Sequence, residues 1–236
     1  MIGLRKFAVC LICFSLIMIS VFTNKENAVA VQSSPKINKQ KIILDAGHGG
    51  FDGGAEASDG TKEKDINLSI ALKTKYLLEQ GGFEVIMTRL SDTGIETDSN
   101  QSITKRKVSD MKKRLEIISS NPKAVFVSIH LNKFTTSTAV GAQVFYSPNS
   151  ESSEILAESL QSRIISQIQP DNTRRIKRAD KSIYLMKNAQ IPAVIVECGF
   201  LSNPSELALL KSEEYQNKTA FSIYCGILDY YNSQKA

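Results

Sequence analysis

Apolar and polar positions alternate along this chain with two different periods, and the switching between them outlines the fold. Lys41 to Leu44 is a short β-rich run that enters a cluster of glycines, and Asp65 to Gln80 then carries Ile66, Ile70 and Leu77 at helical spacing. Gly81-Gly82 stops that helix, Phe83 to Thr88 reads as a second strand, and Val108, Met111, Leu115 and Ile118 mark a second amphipathic helix. Ala124 to Ile129 (AVFVSI) is almost unbroken in apolar character, as a strand covered on both faces should be. A strand at Ala142 to Tyr146, a helix from about Glu154 to Ile168, a basic loop, a short strand near Ile183 to Met186 and a strand at Ala193 to Val196 follow. Asn203-Pro204 with Glu206 predicts a capping box, and the last helix carries Ala220, Ile223, Ile227 and Tyr231 on one stripe. Strands alternating with helices predict one α/β domain with a mostly parallel sheet, helices on both faces, and a site at the carboxyl ends of the strands.

The first thirty residues follow another logic. Arg5 and Lys6 precede an apolar run from Phe7 to Phe22, and Ala28-Val29-Ala30 follows after a polar stretch. Sixteen helical residues reach about 24 Å, short of the roughly 30 Å hydrocarbon core of a bilayer. The expectation is a secretory signal cleaved after Ala30, with an uncleaved membrane anchor as the alternative and an extracytoplasmic location in either case. Residues 31–40 read as a linker and 41–236 as the domain. Without residues 1–30 the formal net charge falls from +5 to +3. So mild a balance gives no phosphate-neutralising surface, and a nucleic-acid partner is not expected. Of four cysteines only Cys198 and Cys225 remain beyond that segment, and both are expected as free thiols in apolar surroundings.

The chain has only two histidines, His48 and His130, each at or just beyond the end of a predicted strand. Two unrelated loop histidines are the plain alternative, but both standing on the rim where such sheets place their sites points to metal ligation or catalysis. Two imidazoles and one carboxylate with an open fourth position is a catalytic zinc arrangement. Asp45, Asp52, Asp59, Glu63, Asp65, Asp92 and Glu197 are the candidate carboxylates, and spacing does not choose among them. Glu197, directly after a buried AVIV run, has a desolvation cost that a cation or a catalytic role would compensate. Gly47 to Gly54 (GHGGFDGG) lacks the phosphate-binding glycine pattern and reads as a flexible loop passing close to a metal or substrate. A thiol nucleophile at Cys198 is weaker, because Glu197 and Cys198 face opposite sides of a continuing strand.

The strings KIILDAGHGGFDGGA, EKDINL at Glu63 to Leu68, Thr88-Arg89 with Asp92, SIHLN at Ser128 to Asn132, GAQVFY and PAVIVECGFLSN at Pro192 to Asn203 together resemble the zinc-dependent N-acetylmuramoyl-L-alanine amidases. The resemblance runs from about Lys41 to Tyr231 and departs at Ala46, where the family often has proline. It implies that His48, Glu63 and His130 hold one zinc ion and that Glu197 is the catalytic acid/base. The implied substrate is peptidoglycan, cut at the amide between the lactyl group of muramic acid and L-alanine of the stem peptide. The short chain and the run TRRIKRADKSIYLM look most like the germination-specific spore-cortex subgroup, whose product leads to muramic δ-lactam. A vegetative autolysin of the same chemistry is the second choice, and a non-catalytic peptidoglycan-binding module the third. An activating envelope protein is a further expectation. Arg175 and Arg178, in the basic run, are candidates to pair with stem-peptide carboxylates, and Asn132 to bind substrate.

Overall fold

A computed structural model describes residues 39–96, 98 and 100–234. The expected signal or anchor and all but the last two residues of the linker lie outside the described residues. Six strands, β1 (Lys41–Ala46), β2 (Glu84–Met87), β3 (Ala124–Asn132), β4 (Gln143–Tyr146), β5 (Lys177–Arg178) and β6 (Ala193–Phe200), form one sheet in the order β2-β1-β3-β6-β4-β5. The β2-β1-β3-β6 portion is parallel, β4 runs antiparallel to β6, and β5 is parallel to β4. The sheet is therefore mixed and mostly parallel.

The period of two in the strands sorts side chains between two cores. Ile42, Leu44, Val125, Val127, Val194 and Val196 face α1 (Glu63–Gln80), α3 (Glu151–Ile168), α5 (Pro204–Lys211) and α6 (Glu213–Ser233), meeting Ile70, Leu160, Leu210 and Ile223. Ile43, Phe126, Ala193 and Ile195 face the other way, toward Ile118 of α2 (Ile103–Ser119) and Leu185 and Met186 of α4 (Tyr184–Asn188). Helices thus cover both faces, as the alternation predicts.

Four local expectations need correction. Ile183 to Met186 is not a strand: Lys187 N–H donates to the Ile183 carbonyl at 2.9 Å, and the segment turns into α4. Four apolar residues in a row fit either period, and the sheet position beside β4 is taken by Lys177–Arg178 from within the basic loop. Glu197 and His130 lie inside β6 and β3, which run on to Phe200 and Asn132. Asn203 does cap α5, accepting from Ser205 and Glu206 N–H at 3.0 and 3.1 Å. Glu206 does not close the capping box. Its carboxylate instead accepts from Gly141 and Phe200 N–H, both at 2.7 Å, tying β6 to the chain entering β4.

Candidate active site

β1 delivers the chain to His48, the one non-glycine residue with positive φ (63°) among the described residues. Such a conformation costs on the order of 1–3 kcal/mol and persists only where neighbours enforce it. Arg114 donates to the carbonyls of His48 (2.8 Å) and Ala46 (3.2 Å), and Arg89 to those of Ala46 (2.9 Å) and Gly47 (3.1 Å). Lys64 Nζ donates to the Gly50 carbonyl at 2.8 Å. Three cations pin this loop, so its glycines supply space rather than the flexibility expected of them. A Cβ on Gly47 would lie 2.3 Å from the His130 ring, and one on Gly54 would lie 2.6 Å from both Glu63 Oε2 and His48 Cδ2.

The side chains behind those glycines converge. His48 Nε2 is 3.2 Å from Glu63 Oε2, and His130 Nδ1 is 3.0 Å from Glu63 Oε1. One donor atom from each of the three lies within 4.8 Å of the others. A tetrahedral zinc site with bonds of about 2.0–2.1 Å separates its donors by roughly 3.3 Å, so the arrangement fits the ion in spacing and donor type. Glu63 opens α1 and is buried, accepting from Ala55 N–H (2.9 Å), Leu131 N–H (3.1 Å) and Asn67 Nδ2 (3.2 Å). Burial opposes its charge, but the histidines outweigh burial and hold it well below the usual carboxylate range. Burial likewise opposes the charged form of His48, yet hydrogen bonds to Asp52 and Glu63 raise it to about 9.

The other carboxylates go elsewhere. Asp59 pairs with Lys211, Asp92 with Lys64, and Asp65 is exposed. Asp52 lies behind His48, and Asp45 is sealed under the loop by Arg114.

Glu197 is the register partner of His130 on the adjacent strand and shares its face of the sheet. Its Oε2 is buried without a hydrogen-bond partner, and burial pushes the carboxyl up to about 7. A group so tuned exchanges protons near neutrality. His48 and His130 border a cavity of about 250 Å³ that is also lined by Phe51, Met111, Ile183, Leu185 and Ile195 and by the buried Asp45, Ser128 and Arg114.

Asn132 contributes its carbonyl to Leu201 N–H at 2.8 Å. Arg175 is exposed, and its carbonyl accepts from Gln143, the residue registered with Glu197 on the other side. Arg178 is exposed on β5, while Arg174 is committed to the Val140 carbonyl and the Phe200 ring. Cys198 points into the opposite core with its thiol pushed up by burial, which removes it as a nucleophile, and Cys225 is also free. Lys107, Asn67 and the Asp45–Arg114 pair escaped sequence reasoning. An arginine inside the Met111-Leu115-Ile118 stripe was the signal for the last of these.

The family described as N-acetylmuramoyl-L-alanine amidase matches residues 42–229. The chain belongs to that family. The amidase is 39% identical over 193 residues to the germination-specific N-acetylmuramoyl-L-alanine amidase of Bacillus subtilis (strain 168), covering 82% of this chain and 80% of that protein. Among solved structures it is similar to the CwlD amidase from Clostridioides difficile in complex with the GerS lipoprotein. That match has 44% identity and a TM-score of 0.79, and covers 83% of this chain and all of the other. A second match is the N-acetylmuramoyl-L-alanine amidase from Clostridium difficile 630, at 32% identity and a TM-score of 0.72, covering 84% and 99%. Among the described residues of the amidase, no helix is long and apolar enough to cross a membrane.

Proposed function

We propose that His48, Glu63 and His130 hold a catalytic zinc ion and that Glu197 is the acid/base that cleaves the lactyl–L-alanine amide of peptidoglycan. The observation that carries this reading is Glu197, with one buried and unpartnered oxygen, registered beside His130 of a two-imidazole, one-carboxylate cluster. Zinc bound there would polarise the scissile carbonyl and make a water acidic at ordinary pH. The chain does the rest. Glu197 accepts the proton of the attacking water and returns it to the alanine nitrogen, which leaves as an amine because it has been protonated. The Arg89 and Arg114 guanidiniums hold the backbone around His48 still while this happens.

The setting we propose is extracytoplasmic, reached through residues 1–30, with spore-cortex peptidoglycan as substrate. Support comes from the germination-specific relative. The lipoprotein bound to the similar clostridial amidase supports an activating partner of that class. Arg175, Arg178 and Asn132 are the proposed substrate contacts.

Glu197→Gln should keep one zinc ion per chain and lose about 10²–10⁴-fold in turnover. His130→Ala should lose the metal itself. Elemental analysis together with mass spectrometry of digested cortex peptidoglycan reads both. Substantial amide cleavage by Glu197→Gln would end the acid/base assignment.

A further inference from the structure

We infer that Asp52 is a positioning residue for His48 and that Lys107 opposes it, so that the two residues of one ion pair act on metal affinity in opposite directions. The inference rests on the reading of His48 as a zinc ligand. Gly49 and Asp52 exchange two backbone hydrogen bonds, at 2.9 and 3.0 Å, which fold the loop back on itself and bring the Asp52 side chain over His48. Asp52 Oδ2 then lies 2.8 Å from His48 Nδ1. Its other oxygen takes the Lys107 ammonium at 2.8 Å and Gly54 N–H at 3.4 Å.

A carboxylate only accepts, so Nδ1 carries a proton, and in the neutral ring that binds a metal Nε2 is the nitrogen with the free lone pair. That nitrogen is the one aimed at Glu63. Asp52 therefore selects the tautomer and fixes the ring plane a metal requires, on a residue whose backbone is already strained. Lys107 comes from α2, and its side chain is 52% exposed. Its charge draws on the Asp52 carboxylate and adds to the positive field that an incoming cation meets. Removing it should not unfold the protein.

If the pair served only to hold the loop, losing either partner would loosen the site and weaken zinc. If Asp52 acts through His48, the signs differ. Asp52→Ala should weaken zinc about 10- to 100-fold. Asp52→Asn should be at least as weak, because a flipped amide donates to Nδ1 and stabilises the wrong tautomer. Lys107→Met should bind zinc several-fold more tightly than wild type.

The experiment is a competition titration of each metal-free protein with zinc against a chromophoric chelator, with thermal melting of the same metal-free samples as the folding control. The absorption spectrum of the cobalt-substituted forms should change for Asp52→Asn and stay as wild type for Lys107→Met. Wild-type affinity in Asp52→Asn, or an unchanged or weaker affinity in Lys107→Met, overturns the inference. If wild type and His130→Ala bind zinc alike, the ligand reading itself fails, and that outcome is separate from the other two.

Discussion

Asp45 is 1% exposed and Arg114 not at all, yet both are charged and in direct contact beneath the site. Asp45 also accepts from Thr88 Oγ1 at 2.8 Å and Ser128 Oγ at 2.5 Å, while Arg114 Nε meets Asp110 at 2.5 Å. Burial alone would raise the Asp45 carboxyl and is the largest single effect, but Arg114, His130 and the Ser128 and Thr88 hydroxyls together outweigh it and hold the group below its ordinary value. Breaking such a pair from one side leaves an uncompensated buried charge, so Asp45→Ala should destabilise the protein by about 3–5 kcal/mol in denaturant unfolding. The sign with pH follows from a lowered folded pKa. The contribution is complete above the unfolded value of about 3.9 and is lost as pH falls through the folded value. The fall in stability of wild type below about pH 4 should therefore be shallower in Asp45→Asn, as denaturation across that range would show.

At the scale of elements, what could be read depended on whether a segment's pattern answered to one period. β3 and α6 do, and both stand where Ala124 to Ile129 and the Ala220–Tyr231 stripe put them. Ile183 to Met186 fits two periods, and the position beside β4 decided it. The two histidines and Glu197 could be singled out because strand ends and burial cost mark them. Choosing Glu63 from seven carboxylates took a resemblance, since its approach to His130 joins residues far apart in the chain. Arg114 stands inside the apolar stripe of α2, but that position alone does not say it is buried, because arginine is buried only when paired, and pairing is tertiary. α2 does more than cover the sheet: Lys107, Met111 and Arg114 on one of its faces all border the cavity beside the histidines. Met111→Trp should fill that cavity, cut kcat/KM on peptidoglycan fragments roughly tenfold or more and leave zinc content unchanged. Unaltered kinetics would show that substrate does not enter it.

Across the whole molecule, the site sits where the sheet changes character, with His130 on a parallel neighbour of β6 and Gln143 on an antiparallel one. That change places Arg175 and Arg178 on the far side of Glu197 from His130. Removing both charges should raise KM several-fold for fragments carrying stem-peptide carboxylates, and added salt should narrow the difference. An unchanged KM would return the basic run to solvent. The pinned loop around His48 has another consequence. His48 takes its shape from Arg114, its neighbours in the cluster arrive with residues 63 and 130, and Glu197, registered with His130, arrives later still. No fragment of the growing or unfolded chain contains a working centre. A wall-cutting enzyme built this way has no assembled centre until nearly all of residues 46–197 have emerged and folded together.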